Sequence, residues 1–329
     1  MKNESPLFAA DPAPLNVAVM VMAETNLLSL AAAVDPMRAA TRRAGRPLFD
    51  WRYVSADGGP VALTAGFTVP TLRLSDREEA DLLMLVAGFR IQEQTTPGLI
   101  SRLRRIAPRL RGIAGIDGGS WFLAHAGLLD GRAATVHWED LESFAARFPA
   151  IETRRDRYVI SGPCITTGGA APCLDMMLDL IGARWGVELA LRVAGAFVYE
   201  PFQAAAQPQQ SVPATRLAQA DPALGAAIAL MEQGLEDPPA IADIARRIVL
   251  SRRRLEMLFS ARLGTSPGRF FLDLRLDEAR RLVTDTALPL QEVALRTGFS
   301  GQVTFARAFR ARFGMAASAL RRAPAAGPR

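Results

Sequence analysis

The residues best placed to do chemistry lie in one short run, Gly115-Ile-Asp-Gly-Gly-Ser-Trp-Phe-Leu-Ala-His-Ala-Gly-Leu-Leu-Asp-Gly131. An apolar strand pattern ends at Ile116, a small-residue turn follows, and a helical run begins. This is the outline of a nucleophile elbow, in which glycines let the backbone reverse while one side chain projects into a cleft. In a hydrolase that side chain belongs to Ser or Cys, activated by a neighbouring base. Trp121, His137 and Trp138 supply aromatic and titratable groups near the same cleft, and Asp117, Gly118 and Thr166 complete the candidate binding set. Aromatic faces beside a carboxylate suit a quaternary ammonium or another cation. The alternative for each tryptophan is ordinary core packing.

The elements that must position this turn alternate along the first 200 residues. Leu15–Met22 is a nearly continuous apolar run, as expected of a strand covered on both faces. Leu27–Ala44 has helical spacing, Phe49–Val54 alternates as a strand, and Ala80–Val86 is a second buried strand. A basic helix is predicted over Pro97–Leu110, a third buried strand over Gly112–Ile116 and another over Ala133–Val136. Tyr158–Ile160 and Cys164–Thr166 form a late hairpin, followed by a helix over Asp175–Val193. Strands alternating with helices imply an α/β domain with a mainly parallel sheet, and such sheets bind ligands at the carboxyl ends of their strands.

The last hundred residues have a different period. Gly298 permits a tight turn, Ser300 can cap the following helix, and Phe305, Phe309 and Phe313 recur every four residues as one apolar stripe. With the short amphipathic run Leu290, Val293, Ala294 upstream, this is a helix-turn-helix pattern, whose second helix enters the DNA major groove. A partial copy lies 50 residues earlier: Leu255, Phe259, Leu263 and Gly264 match Phe305, Phe309, Phe313 and Gly314. Ala245 precedes Ser251 as Ala294 precedes Ser300, so the copies differ by one residue after the serine. Phe270, Leu274, Ala279, Leu282 and Val283 give the intervening stretch the apolar face of a linker helix. The exposed positions of the first reader are Arg252, Arg253, Arg254, Glu256 and Met257; those of the second are Gln302, Val303, Thr304, Ala306 and Arg307. Arg reads guanine, Gln reads adenine and Val meets a thymine methyl. Arg296, Arg310 and Arg312 suit phosphate contacts or solvated positions.

Charge supports the same division. From Asp237 onward there are 17 Arg and 8 Asp or Glu, a net +9, which leaves −3 for the rest of a chain carrying +6. A basic block on a mildly acidic body fits phosphate contacts confined to one end. Two cysteines, Cys164 and Cys173, are too few for a disulfide framework, and two histidines with no Cys/His cluster leave no structural metal or cofactor to expect. Glu24 and Asn26 interrupt the apolar stretch Val17–Val34, so no membrane span is predicted, and no targeting segment is visible; the expected compartment is the cytoplasm.

Residues from about 225 to 322 resemble the DNA-binding domain of the AraC family of bacterial transcription regulators. The resemblance rests on Arg275-Leu-Asp-Glu-Ala-Arg-Arg-Leu, Val293-Ala, Gly298-Phe-Ser and Phe305-Ala-Arg-Ala-Phe-Arg-Ala-Arg-Phe-Gly314. The sequence departs from that pattern at Val249, where glycine is common, and at Ala317, where proline is usual. Residues 14–200 resemble the PfpI-like, class I glutamine amidotransferase-like domain that precedes one AraC subgroup. Ala124-His-Ala-Gly-Leu-Leu-Asp-Gly-Arg-Ala-Ala-Thr-Val-His-Trp138, Thr166-Thr-Gly-Gly-Ala170 and Leu30-Ala-Ala-Ala-Val-Asp-Pro-Met-Arg38 carry it. In the catalytic relatives a cysteine occupies the elbow; that position is Asp117 here, and Ser29 stands for the enzymes' helical acid.

The resemblance implies a flavodoxin-like α/β sandwich followed by an all-α domain with two helix-turn-helix units. The expected order is a flexible tail at 1–13, an effector-sensing domain at 14–200, a Gln-, Ala- and Pro-rich linker at 201–224, the DNA-binding domain at 225–322 and a tail at 323–329. It further implies a homodimer on double-stranded operator DNA, activating a catabolic operon with RNA polymerase. The DNA-binding set is then Arg252, Arg253, Arg254, Glu256, Met257, Gln302, Val303, Thr304, Ala306, Arg307 and Arg310. The effector is a small quaternary amine or amino-acid-like molecule, because the elbow looks most like regulators of glycine betaine, carnitine or arginine catabolism. No catalytic residue is expected. The competing class is an amidase- or hydratase-like enzyme fused to a DNA-binding domain, which would need Asp117 and His137 to act together.

Overall fold

A computed structural model describes residues 5–199, 221–286 and 288–322, and the chain divides into two compact units near residue 209. The first unit runs β1 (Leu15–Val21), α1 (Leu27–Ala44), β2 (Phe49–Ser55), β3 (Gly59–Ala62), β4 (Thr68–Arg73) and β5 (Leu82–Ala87). It continues with α2 (Ile91–Gln94), α3 (Pro97–Ile106), β6 (Gly112–Asp117), α4 (Gly119–His125), β7 (Ala133–Ala134) and α5 (Leu141–Arg147). The unit closes with β8 (Glu152–Thr153), β9 (Tyr158–Ser161), β10 (Cys164–Thr167), α6 (Ala170–Trp185) and α7 (Val187–Ala196).

Eight strands form one sheet in the order β3-β4-β2-β1-β5-β6-β10-β9. The central pairs are parallel; only β3 with β4 and β9 with β10 run antiparallel. All six residues of β5 are buried, which is what a Leu-Leu-Met-Leu-Val-Ala strand covered by helices on both faces requires. Leu30, Met37, Met176, Met177 and Ile181 of α1 and α6 build the core on one face. Leu99, Leu103, Phe122 and Phe144 of α3, α4 and α5 build it on the other. The result is the expected flavodoxin-like sandwich.

Several local expectations change. Residues 5–13 are packed rather than loose: Leu7 is fully buried, and the buried Arg184 donates to the Leu7 and Ala13 carbonyls and pairs with Asp11 at 3.1 Å. The predicted helix over Asp175–Val193 is two helices, because Gly186 takes φ +101° between them. Ala133–Ala134 pairs with β8 in a separate two-stranded sheet, outside the main one. The β3–β4 ribbon went unread because its mostly exposed residues give no apolar run.

The second unit is helical: α8 (Pro222–Gln233), α9 (Ile241–Arg247), α10 (Arg252–Leu263), α11 (Pro267–Asp285), α12 (Leu290–Arg296), α13 (Gln302–Phe313) and α14 (Ala317–Arg322). Residues 221–224, assigned to the linker, open α8, with Asp221 accepting from the Leu224 N–H as its N-cap. Residues 201–220 of that linker, 1–4 of the first tail and 323–329 lie outside the described residues. Two small cores share α11. Phe271 joins Leu224, Ile228, Ile244, Leu255 and Phe259; Leu276, Ala279, Leu282 and Val283 join Val293, Phe299, Phe305 and Phe309. The buried residues of α11 include Phe271 and Leu276, whereas Phe270 and Leu274 are only partly covered.

Candidate functional site

The elbow is built by close approach of α4 to the sheet. A Cβ on Gly119 would fall 2.0 Å from the Leu85 carbonyl oxygen, and one on Gly115 would fall 2.6 Å from the Ser120 nitrogen. Only glycine fits at either place. Between them Asp117, the last residue of β6, takes φ +56°, a left-handed conformation that Asp tolerates better than most residues. The backbone is pinned there: the Asp117 N–H faces Thr167 Oγ1 at 3.5 Å, and the Gly118 N–H donates to the Ala87 carbonyl at 3.0 Å.

The Asp117 carboxylate reaches the start of α1. Oδ2 accepts from Ser29 Oγ at 2.8 Å and from Asn26 Nδ2 at 3.4 Å. Asn26 has the backbone of an N-cap yet its side chain caps nothing in α1. Its amide is turned to Asp117 on one side and accepts from Thr64 Oγ1 at 3.5 Å on the other. Nor does Asp117 cap α4, whose N-cap is Gly118 with no side-chain bond. Burial pushes the Asp117 carboxyl above the ordinary carboxylate range; the Ser29 hydrogen bond, the nearby His137 and Asn26 oppose that rise. Ser29 and Asp117, 88 residues apart in sequence, are thus brought together by a side-chain hydrogen bond.

Asp117 is hydrogen-bonded to hydroxyl and amide donors, and His137 is near enough to act on its charge. His137 Nδ1 sits 3.5 Å from Glu139 Oε2, and its ring lies against the Gly169 backbone. Cys173 is fully buried and burial raises its pKa far from the range of a reactive thiol. Cys164 is buried as well and donates to the Leu128 carbonyl at 3.3 Å. Among the described residues no Cys, His, Asp and Glu group is arranged to hold a metal.

The remaining members of the predicted binding set divide. His137 and the half-exposed Trp138 stand side by side, with ring centroids 5.8 Å apart. Trp121 instead packs edge-on against Phe144 and Phe148 at 5.1 and 5.9 Å, and Thr166 is buried with its hydroxyl accepting from the Thr135 N–H at 2.9 Å. Those two serve the core. Asn26 and Thr167 were not singled out in sequence. Thr167 adjoins a residue that was, and Asn26 figures there only as a break in the apolar stretch Val17–Val34.

In the second unit α10 and α13 expose the same positions 50 residues apart. Leu255 and Phe259 match Phe305 and Phe309 as buried anchors, and Phe299, Phe305, Phe309 and Phe313 form a ring ladder with spacings of 5.5, 5.4 and 4.7 Å. Arg252, Arg253, Arg254, Glu256 and Met257, and likewise Gln302, Val303, Thr304, Ala306, Arg307 and Arg310, are all exposed. Val303 and Met257 are 76% and 62% exposed, which puts an apolar contact on the outward face of each helix. Arg252 is tied to Glu256 at 2.9 Å, which leaves Arg253 and Arg254 to face outward.

The turns differ by the extra residue. Ser251 caps α10 by accepting from the Arg254 N–H at 3.2 Å. The cap of α13 is Gly301, with extended backbone and no side-chain bond; Ser300, expected in that role, is displaced by the insertion. Val249 and Gly298 occupy the equivalent left-handed turn position, at φ +58° and +69°. A Cβ on Gly298 would fall 2.3 Å from Pro238 Cγ and 2.6 Å from the Leu235 carbonyl oxygen, so the second turn is also where the two halves of this unit meet. Arg275 of α11 donates to the Thr297 and Gly298 carbonyls at 2.8 and 2.6 Å and lies 4.4 Å over the Phe299 ring. Two arginines suited to phosphate in sequence have partners within the fold: Arg296 pairs with Glu292 at 2.8 Å, and Arg312 with Asp273 at 3.2 Å.

Comparison with known proteins places both halves. The DJ-1/PfpI family pattern matches residues 16–183, and a helix-turn-helix domain pattern matches residues 244–323. The HTH-type transcriptional regulator CdhR of Pseudomonas aeruginosa is 38% identical over 309 residues, covering 92% of each chain. The HTH-type transcriptional regulator GbdR of Pseudomonas aeruginosa is 34% identical over 304 residues, covering 92% of this chain and 83% of its own. In fold, the crystal structure of an AraC family transcriptional regulator from Pseudomonas putida matches 56% of this chain and 100% of its own, with a TM-score of 0.50 at 24% identity. CdhR and GbdR, both named as transcriptional regulators, match nearly the whole of this chain.

Proposed function

The chain belongs to the HTH-type transcriptional regulators that join a DJ-1/PfpI domain to an AraC-type helix-turn-helix domain, and from that premise we propose that it activates a catabolic operon when a small cationic or amino-acid-like effector occupies the Asp117 elbow. The observation that carries this reading is a carboxylate held at the strained nucleophile position by Ser29 and Asn26. In this reading the charge of Asp117 replaces the chemistry of a nucleophile at the elbow. A cation in contact with Asp117 restores the ionised carboxylate that burial opposes. His137 and Trp138 provide the adjoining rim, with Gly118 at the base of the turn; Trp121 and Thr166 support it from the core.

On the DNA side, Arg253 and Arg307 are the base readers, with Gln302 and Val303 beside Arg307. Arg254 and Arg310 meet phosphate. The regulator works in the cytoplasm as a homodimer on paired sites and recruits RNA polymerase. No helix among the described residues is long and apolar enough to cross a membrane, which is compatible with that location.

Titration of the full chain with glycine betaine, carnitine and arginine tests the effector reading. Saturable binding of at least one, weakened tenfold or more by Asp117→Asn, is expected. Equal binding by the Asn variant, or no binding of any of the three, sinks the assignment.

A further inference from the structure

The first unit carries a ligand-sized cavity remote from the elbow. Between the C-terminal half of α1 and α7 lies a cavity of about 380 Å³ lined by Arg38, Arg42, Arg43 and Arg192, with Ala39, Ala196 and Phe197 as its apolar wall. That volume lies in the range of small-molecule sites. From Ser29, beside Asp117, to Arg42 the helix rises about 20 Å, so one small ligand does not span both places.

Among the described residues the charge of this cavity is only partly balanced. Arg38 has Asp35 at 3.1 Å. Arg192 donates to the Arg43 carbonyl at 2.9 Å, which draws a guanidinium from α7 onto the end of α1. Among the described residues no carboxylate pairs with Arg42, Arg43 or Arg192. The dipole of α1 favours cations in its last turn and accounts for the sign of Arg42 and Arg43. It does not account for Arg38, further back along the helix, or for the convergence of Arg192 from another element. Guanidinium groups converging on one concavity repel each other until an anion joins them, and their planar forks match carboxylate and phosphate oxygens.

We propose that this cavity binds a small polyanion, one with two or more phosphate or carboxylate groups, as a second input to the regulator. The adjoining cavity of about 240 Å³ shares Arg192 and is lined also by Arg46, Trp185 and the carboxylate Glu188, so the anion is expected to seat in the arginine-lined cavity and not in this one.

The test is calorimetric titration of the full chain, without DNA, using pyrophosphate and citrate as probes at ionic strength held constant with chloride. One saturable site per chain is expected for at least one probe. Affinity is expected to fall tenfold or more in the Arg42→Ser, Arg192→Ser double variant. It is expected to fall equally in Ala196→Trp, which fills the cavity and removes no charge, so a misfolded double variant leaves Ala196→Trp to decide. Arg253→Ala with Arg307→Ala, on the recognition helices, and Asp117→Asn are expected to leave it unchanged. Absence of saturable binding overturns the proposal. So does binding that survives Ala196→Trp, or that disappears with the recognition-helix arginines. Loss of operator affinity in the double variant with the probe affinity intact makes these arginines DNA contacts and overturns it too.

Discussion

The Asp117 carboxyl is drawn out of water at the end of β6, and burial moves its pKa upward while Ser29 and Asn26 donate to it. The folded state therefore holds the proton more tightly than the unfolded chain does. Such a group is neutral in its effect below the unfolded value, about 4, and destabilises the fold increasingly as pH rises from there through the raised folded value. Asp117→Asn keeps an acceptor for Ser29 and cannot ionise. It is expected to melt at a higher temperature than the wild type at pH 7, with the difference closing toward pH 4; a lower melting temperature at pH 7 would refute the burial argument. Val249 poses a second single-residue problem, a β-branched side chain at φ +58° that is 89% exposed and so gains little packing in return. Val249→Gly removes strain of about 1–2 kcal/mol and gives back part of it as chain entropy. A net gain of roughly 1 kcal/mol in denaturant unfolding is the expected outcome. That position was legible in sequence as a departure from a glycine pattern. Its strain was not, because strain is a property of φ and the residue name alone does not state it.

At the scale of elements, α11 and the turn before α13 are coupled. Arg275 fixes the Thr297 and Gly298 carbonyls, and Gly298 leaves no room for a Cβ against Pro238 and Leu235. Gly298→Ala meets both a left-handed φ and a backbone clash, so a loss of about 3 kcal/mol or more is expected in equilibrium unfolding of the full chain. A cost below about 0.5 kcal/mol would mean that the two halves are not in the contact described. The recognition helices behave oppositely. Arg253→Ala and Arg307→Ala change exposed groups and should leave the melting temperature in place while each weakens operator binding by about 1–3 kcal/mol. Sequence periodicity revealed these helices well, because Phe305, Phe309 and their partners 50 residues earlier are core anchors at helical spacing. It did less well at Trp121 and Thr166. A side chain's neighbours across a sheet come from distant segments such as Phe148 and Thr135, and local spacing carries no record of them.

For the whole molecule, the separation of charge is the governing fact. Seventeen arginines against eight acids from Asp237 onward give one end a net +9. Operator affinity should therefore fall steeply with salt, by about tenfold or more between 50 and 200 mM if several phosphates are neutralised. Measured binding that is flat over that range would show that the arginines are spent on internal pairs such as Arg312 with Asp273. The α/β class followed from strand and helix alternation, and the helical class of the last hundred residues from the repeated aromatic spacing. What stayed hidden was the thin ribbon of β3 and β4, whose exposure leaves no apolar trace, and the packed strap at 5–13, whose anchor Arg184 lies far along the chain.

The two recognition helices share a burial pattern and differ in nearly every outward side chain. Arg253 stands where Val303 does, and Met257 where Arg307 does. One copy of this domain therefore reads its site with a head and a tail, in the manner of a word and not a palindrome. An asymmetric reader has a fixed heading on DNA, so turning its site around in front of a promoter presents the other face of the bound protein to the start of transcription.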